Sequence, residues 1–144
     1  MLNSGYNSNL QIVQGSDHVM ILNEMQHDAR SIPLDGRGRS PDATRQWRGL
    51  SYGYWEGETL VVETANFNGK IPFRGSSEQM RVVERFTRVS DDQIHYTFTV
   101  EDEATWTRPW TVVIPLMGSE EPIFEYACHE GNIGMGGILA GHRA

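Results

Sequence analysis

The sequence predicts an all-β fold: one domain over residues 1–144, built as a single antiparallel up-and-down β-barrel of about eight strands with a Gly-rich C-terminal tail. Three observations predict it. Short runs of alternating apolar and polar residues follow one another through the chain, as half-buried strands require. Turn residues such as Gly, Asn, Asp and Ser separate most of these runs by only a few positions, so sequential neighbours pair as hairpins. No long stretch carries a helical period, which rules out the crossover helices that parallel strands need.

The elements follow in order. Leu10-Gln-Ile-Val-Gln14 reads as a strand, Gly15-Ser-Asp17 as a turn, and His18-Val-Met-Ile-Leu22 as the returning strand. Asn23-Glu-Met-Gln26 reads as a turn before His27-Asp-Ala-Arg-Ser-Ile32, because one continuous strand would far exceed the usual ~5–6 residues. Residues 33–49 are irregular, with Gly and Pro early and room for one helical turn in Asp42-Ala-Thr-Arg-Gln-Trp-Arg48. Leu50–Trp55 and Thr59–Thr64 form the clearest hairpin, with Gly57 at its tip. Asn66–Ser77 is a loop. Met80–Val89 and Gln93–Glu101 form the next hairpin, Trp110–Met117 another strand, and Ile123–Glu130 the last. In the tail from Gly131 only Ile138-Leu-Ala140 looks helical. Joining sequential hairpins into a barrel removes exposed edges, giving a lipocalin-like, calycin-type architecture whose interior holds packed side chains or one small ligand.

Composition narrows the partners. At 144 residues the chain can bury a core without staples. A net charge of −7 argues against nucleic acid and against anionic membrane surfaces, since both need a positive field. No apolar run approaches the ~20 residues that span a bilayer. The start, Met1-Leu-Asn-Ser-Gly-Tyr6, lacks the charged and apolar regions of a signal peptide. The single cysteine, Cys128, excludes an intrachain disulfide and a multi-thiolate zinc site. Eleven of the twelve basic residues are Arg, whose planar fork suits bidentate pairing with carboxylates. The partners left are a small-molecule ligand or substrate and a second copy of the chain in a homodimer.

Several segments resemble a family of bacterial proteins, common in soil organisms, that has no assigned activity. They are Ile32-Pro-Leu-Asp-Gly-Arg37, Trp55-Glu-Gly-Glu-Thr-Leu-Val-Val-Glu-Thr64, Val83-Glu-Arg-Phe-Thr-Arg88, Thr99-Val-Glu-Asp102, Trp106-Thr-Arg-Pro-Trp110 and Glu125-Tyr-Ala-Cys-His-Glu-Gly-Asn132. Members of that family look longer at the amino end and carry an export signal. The resemblance therefore implies an exported or periplasmic origin and a chain that begins part-way into the family's length. It implies no catalytic residues.

Ionisable residues placed inside strands supply the candidate chemistry. Glu63, Glu84, His95, Glu125 and His129 all fall within predicted strands, and a barrel that closed around them would enclose a polar site. Along the last strand Glu125 and His129 share a face with Ala127 between them, while Tyr126 and Cys128 take the other. Four residues of strand span ~13 Å, so partners must come from neighbouring strands. Acid–base catalysis by Glu63, Glu125 and His129, with His95 and Arg85 in support, is the favoured reading, as a hydrolase or lyase acting on a small molecule. It requires no cofactor, and a divalent metal held by His and carboxylates is compatible with it. His-Glu-x-x-His and the Asp-x-Asp calcium loop are absent. Trp106, Arg108, Trp110 and Tyr126 are the candidate ligand contacts, with indoles on both sides of a cation. The alternative is a non-catalytic, lipocalin-like binder of a small apolar or aromatic molecule.

Overall fold

A computed structural model describes residues 8–35, 44–70, 72–126 and 134–142. Its eight strands are β1 (Leu10–Gln14), β2 (His18–Asn23), β3 (Asp28–Pro33), β4 (Leu50–Glu56), β5 (Thr59–Ala65), β6 (Arg81–Arg88), β7 (Gln93–Glu101) and β8 (Trp110–Met117). A 3-10 turn, Met25–His27, separates β2 from β3, as the length of that stretch requires. One helix, α1, covers Gly134–His142. It extends beyond the three residues expected to be helical, and all of it is solvent-exposed.

The strands form two antiparallel sheets, β1-β2-β3 and β4-β5-β6-β7-β8, each in chain order. The all-β, antiparallel architecture is as expected; among the described residues the strands make two hydrogen-bonded sheets with a break between β3 and β4, and no closed barrel is detected. The reason lies in the connections. Every paired neighbour is joined by a turn or short loop that sets register, except across the 15-residue connection between β5 and β6, where the ladder itself fixes Glu63 opposite Val83. Between β3 and β4 no ladder forms, and side chains make the junction instead. Gly53 leaves room there. A Cβ at that position would lie 3.0 Å from Ile32 Cγ2 and 3.1 Å from Leu34 Cδ2.

Alternation along each strand sends one set of side chains to a shared core. Val19, Ile21 and Ile32 from the first sheet pack with Leu60, Val62, Val82, Phe86, Tyr96, Phe98 and Val100 from the second. Register aligns these residues in rows. One row crosses the first sheet as Ile12, Ile21 and Arg30. Another crosses the second as Gly53, Val62, Glu84, Phe98 and Val112. The two rows are joined by their charged members, Arg30 and Glu84.

Two further expectations are corrected. Residues 44–49 form no helix, only one turn in which the Gly49 N–H donates to the Gln46 carbonyl at 3.3 Å, and residues 42 and 43 lie outside the described residues. Gln46 instead makes an isolated parallel bridge with Phe67, and Arg45 Nη1 donates to the carbonyls of Phe67 (3.1 Å) and Glu78 (2.8 Å). Residues 123–126 are not a strand. Pro122 precedes them, and the Phe124 N–H donates to the side chain of Glu24 at 3.4 Å rather than to a ladder. The remainder of the expected last strand, 127–130, lies outside the described residues.

Candidate functional site

The interior charge pair is the most elaborate polar feature of the fold. Glu84 is only 1 % exposed, and the Arg30 side chain 9 %. Arg30 Nη1 donates to Glu84 Oε2 at 2.5 Å and Nη2 to Oε1 at 3.0 Å, a bidentate fork. The Tyr96 hydroxyl donates to Oε1 at 2.8 Å. Burial alone would raise the Glu84 carboxyl. The Arg30 guanidinium and the bonds from Arg30 and Tyr96 more than offset it, holding the group below the usual carboxylate range. Burial pushes the Tyr96 phenol up, and the neighbouring Glu84 charge pushes it further the same way. A general base needs a carboxyl tuned up toward neutral pH with a lone pair free for substrate. Glu84 has the opposite tuning, and both its oxygens accept from Arg30. It holds the sheets together, and its geometry gives it no proton to move.

Beside this pair lies a cavity of about 20 Å³, lined by Arg30, Thr64, Phe67, Met80 and Glu84, with Phe73 as a further wall. Arg30 Nε is buried and has no hydrogen-bond partner among the described residues. On the other side of Phe73 the molecule opens into a much larger cleft of about 590 Å³. Phe73, Phe98, Trp106 and Trp110 form its walls, Val112 and Ile114 line it along β8, and the exposed Arg74 is its one charged residue among those described. The rings pack against each other. Trp106 and Trp110 meet edge to face at 5.6 Å between centroids, Phe98 and Trp110 likewise at 5.9 Å, and Phe73 stacks on Trp110 at 6.2 Å.

Local sequence explains how the cleft is built. Phe98 and Trp110 occupy inward positions of β7 and β8, two residue pairs apart along the ladder, since Val100 is opposite Trp110 and Phe98 opposite Val112. Trp106 comes from the loop between those strands, and Phe73 from the loop after β5. Asp102 ties both loops together. Its carboxylate accepts from the Ser77 N–H (2.6 Å) and hydroxyl (2.8 Å), from the Thr105 hydroxyl (3.0 Å) and from the Ala104 N–H (3.2 Å). Burial pushes Asp102 up, but these donors, led by Ser77, outweigh it and hold the carboxyl down.

Those residues expected to act in catalysis that the structure describes, Glu63, Arg85, His95 and Glu125, do not converge. Glu63 sits on the face of β5 opposite Val62, paired with Arg81 and accepting from Tyr54 at 3.1 Å. Burial raises its carboxyl, yet bonds from Tyr52, Arg81 and Tyr54 bring it below the ordinary range. Arg81 in turn reaches Glu101 at 2.9 Å. Arg85 lies on that same outer face and pairs with Glu56 at 2.5 Å. His95 is exposed, opposite Thr87 and Pro115. Glu125 is exposed off any strand, and Tyr126 is half-buried. His129 and Cys128 lie outside the described residues. Of the expected ligand contacts, Trp106 and Trp110 do line a cleft together, whereas Arg108 is exposed and does not. The cation that sequence reasoning missed is Arg74. Its only local signal is its place beside Phe73 and Gly75 in a loop.

A second hollow, about 860 Å³, follows the seam between β1 and β8, past Leu10, Ile12, Ile94 and Leu116. Of its charged residues, Arg88 donates to the carbonyls of Ser90 (3.0 Å) and Asp91 (2.8 Å). Among the described residues no group of three or more His, Cys, Asp or Glu side chains could hold a metal ion. No described helix is long and apolar enough to cross a membrane. Comparison of the chain with protein-family models, with curated proteins and with solved structures gives no match.

Proposed function

We propose that this protein binds a small apolar or aromatic molecule in the cleft walled by Phe73, Phe98, Trp106 and Trp110, without catalysing its conversion. The observation that carries the reading is four aromatic rings converging on one hollow of about 590 Å³. Small-molecule sites typically measure ~300–1,000 Å³ and combine mostly apolar walls with a few polar groups. The walls are placed by two strands and two loops that Asp102 clamps, so little ordering is left for the ligand to impose.

On this reading the two sheets act as one up-and-down barrel, split along the β3–β4 junction and the β1–β8 seam. The shared core and the Arg30–Glu84 link between rows support that architecture. The cleft then occupies one mouth of the barrel, where eight-stranded binders hold their cargo. No cofactor is called for. The acid–base alternative would need a carboxylate and an imidazole within hydrogen-bond reach inside a hollow. Glu63, His95 and Glu125 stand apart on outer surfaces, so the geometry favours the binder.

Tryptophan fluorescence tests the proposal, because two of the four tryptophans line the cleft. Titration with a bicyclic aromatic probe, 2-naphthamide or 2-naphthoate, is expected to change the emission saturably with one site per chain. Trp106→Ala should abolish that change, while Trp47→Phe should leave it. Saturable binding that survives Trp106→Ala would place the ligand elsewhere and defeat the proposal, as would no binding of either probe.

A further inference from the structure

The aromatic cleft has an electrostatic sign. Among the described residues Arg74 is its one charged lining residue, and no described carboxylate lines it. Among the described residues every other arginine except the exposed Arg108, which lies outside the cleft, is paired with a carboxylate. Arg30 pairs with Glu84, Arg45 with Glu78, Arg48 with Asp28, Arg81 with Glu63 and Glu101, and Arg85 with Glu56. Arg74 has no carboxylate within 4.0 Å among the described residues; its one recorded contact is the ring of Phe73, 5.8 Å from the guanidinium carbon. Stacking on a ring occupies the face of the guanidinium and leaves its in-plane N–H donors available.

The backbone holds this cation in place at a conformational cost. Arg74 has φ +50°, a region that residues with a Cβ rarely adopt, and Gly75 follows at φ +85°. Such conformations persist where surrounding bonds over-determine them, and they cluster at ligand clamps. Here the bonds are explicit. The Ser76 N–H donates to the Phe73 carbonyl (2.9 Å), and the Phe73 N–H donates back to the Ser76 hydroxyl (2.9 Å). The Thr105 hydroxyl reaches the Gly75 carbonyl at 3.3 Å, and Ser77 is fastened to Asp102. The turn is therefore tied to itself and to the loop that carries Trp106.

We infer that the cleft selects an aromatic carboxylate, whose ring lies among Phe98, Trp106 and Trp110 and whose anionic end meets the Arg74 fork. The inference rests on the binding role proposed above and adds the charge of the ligand to it. A flat acid fits both halves of the arrangement. The apolar walls take the ring, and the planar fork matches a carboxylate with two parallel N–H···O bonds. A cationic ligand would meet Arg74 as a like charge, and a neutral one would leave the Arg74 charge uncompensated.

Isothermal titration calorimetry with 2-naphthoate and its neutral isostere 2-naphthamide tests the preference at pH 7. The acid is expected to bind about tenfold tighter than the amide, the effect of one charge-assisted contact of ~1.4 kcal/mol. Arg74→Gln should bring the ratio close to one, and Arg108→Gln, outside the cleft, should leave it at the wild-type value. Raising salt from about 0.05 to about 0.5 M should shrink the wild-type ratio, since exposed charges are screened. Equal binding of acid and amide, or a ratio that survives Arg74→Gln, refutes the charge preference while the aromatic cleft stands. Binding of neither compound removes the cleft reading itself and the preference with it.

Discussion

Removing the Glu84 charge should be the most damaging single change to this fold. In Glu84→Gln the isosteric amide can still accept one bond, but Arg30 loses its counter-charge while its side chain remains 9 % exposed. In either orientation the amide NH2 would also face a guanidinium N–H, donor against donor, because Arg30 donates to both Glu84 oxygens. Breaking a buried ion pair from one side costs ~3–5 kcal/mol, because the remaining charge is stranded. For a chain of this length that corresponds to roughly 6–20 °C in Tm. Replacing both partners by Met removes the stranded charge and should recover most of the loss, since apolar replacements of buried pairs are often neutral or stabilising by ~1–4 kcal/mol. Urea denaturation of the wild type, Glu84→Gln, Arg30→Met and the Arg30→Met/Glu84→Met double variant measures these terms as a cycle. A loss below about 1 kcal/mol in Glu84→Gln, with an unchanged m value, would refute the claim that this pair joins the two sheets.

Three other outcomes follow from the same reasoning. Glu84, Glu63 and Asp102 all have carboxyls held below their ordinary values, so each contributes stability that is present above its unfolded pKa of about 4 and is lost as pH falls through its folded value; denaturant midpoints should hold steady from pH 7 to about 5 and drop below about 4, less steeply in Glu84→Gln. Asp102→Asn should cost ~1–3 kcal/mol by leaving the Ser77 N–H or hydroxyl unanswered, and hydrogen exchange should show residues 73–77 and 104–106 opening together. Gly53→Ala should cost ~1–3 kcal/mol through overpacking against Ile32 and Leu34, whereas Gly57→Ala at the hairpin tip meets no atom within 4 Å and should show only the strain of its φ of +60°.

Most of the strands were legible because their signal is local. The pairs Gln93–Glu101 and Trp110–Met117 appear at the predicted residues, and the hairpin around Gly57 falls within a residue of its expected ends. Inward and outward faces were harder, since Val82-Val-Glu-Arg-Phe86 carries apolar residues on both parities. The set Val82, Glu84, Phe86 has two large apolar members against one for Val83 and Arg85, a weak sign that Glu84 points inward. Nothing near Arg30 marks it as the partner, because a contact over 54 positions leaves no trace in periodicity. The same limit hid the cleft. Trp106 and Trp110 stood out as a pair, but Phe73 and Arg74 reach them only through the fold. The break between β3 and β4 was likewise invisible, since strand patterns show that a segment is extended but carry no record of which edge it meets.

The pairing of each strand with its neighbours in the chain has a kinetic corollary. Every ladder except β5–β6 can zip from a nearby turn or short loop, so both sheets can assemble from contacts of modest sequence separation before they dock. Docking then brings a guanidinium and a carboxylate out of water late, once the ladders exist. Substitutions at those two positions should accordingly leave the refolding limb of a chevron almost unmoved and steepen the escape from the native state, giving low φ-values there and higher ones in the β4–β5 hairpin.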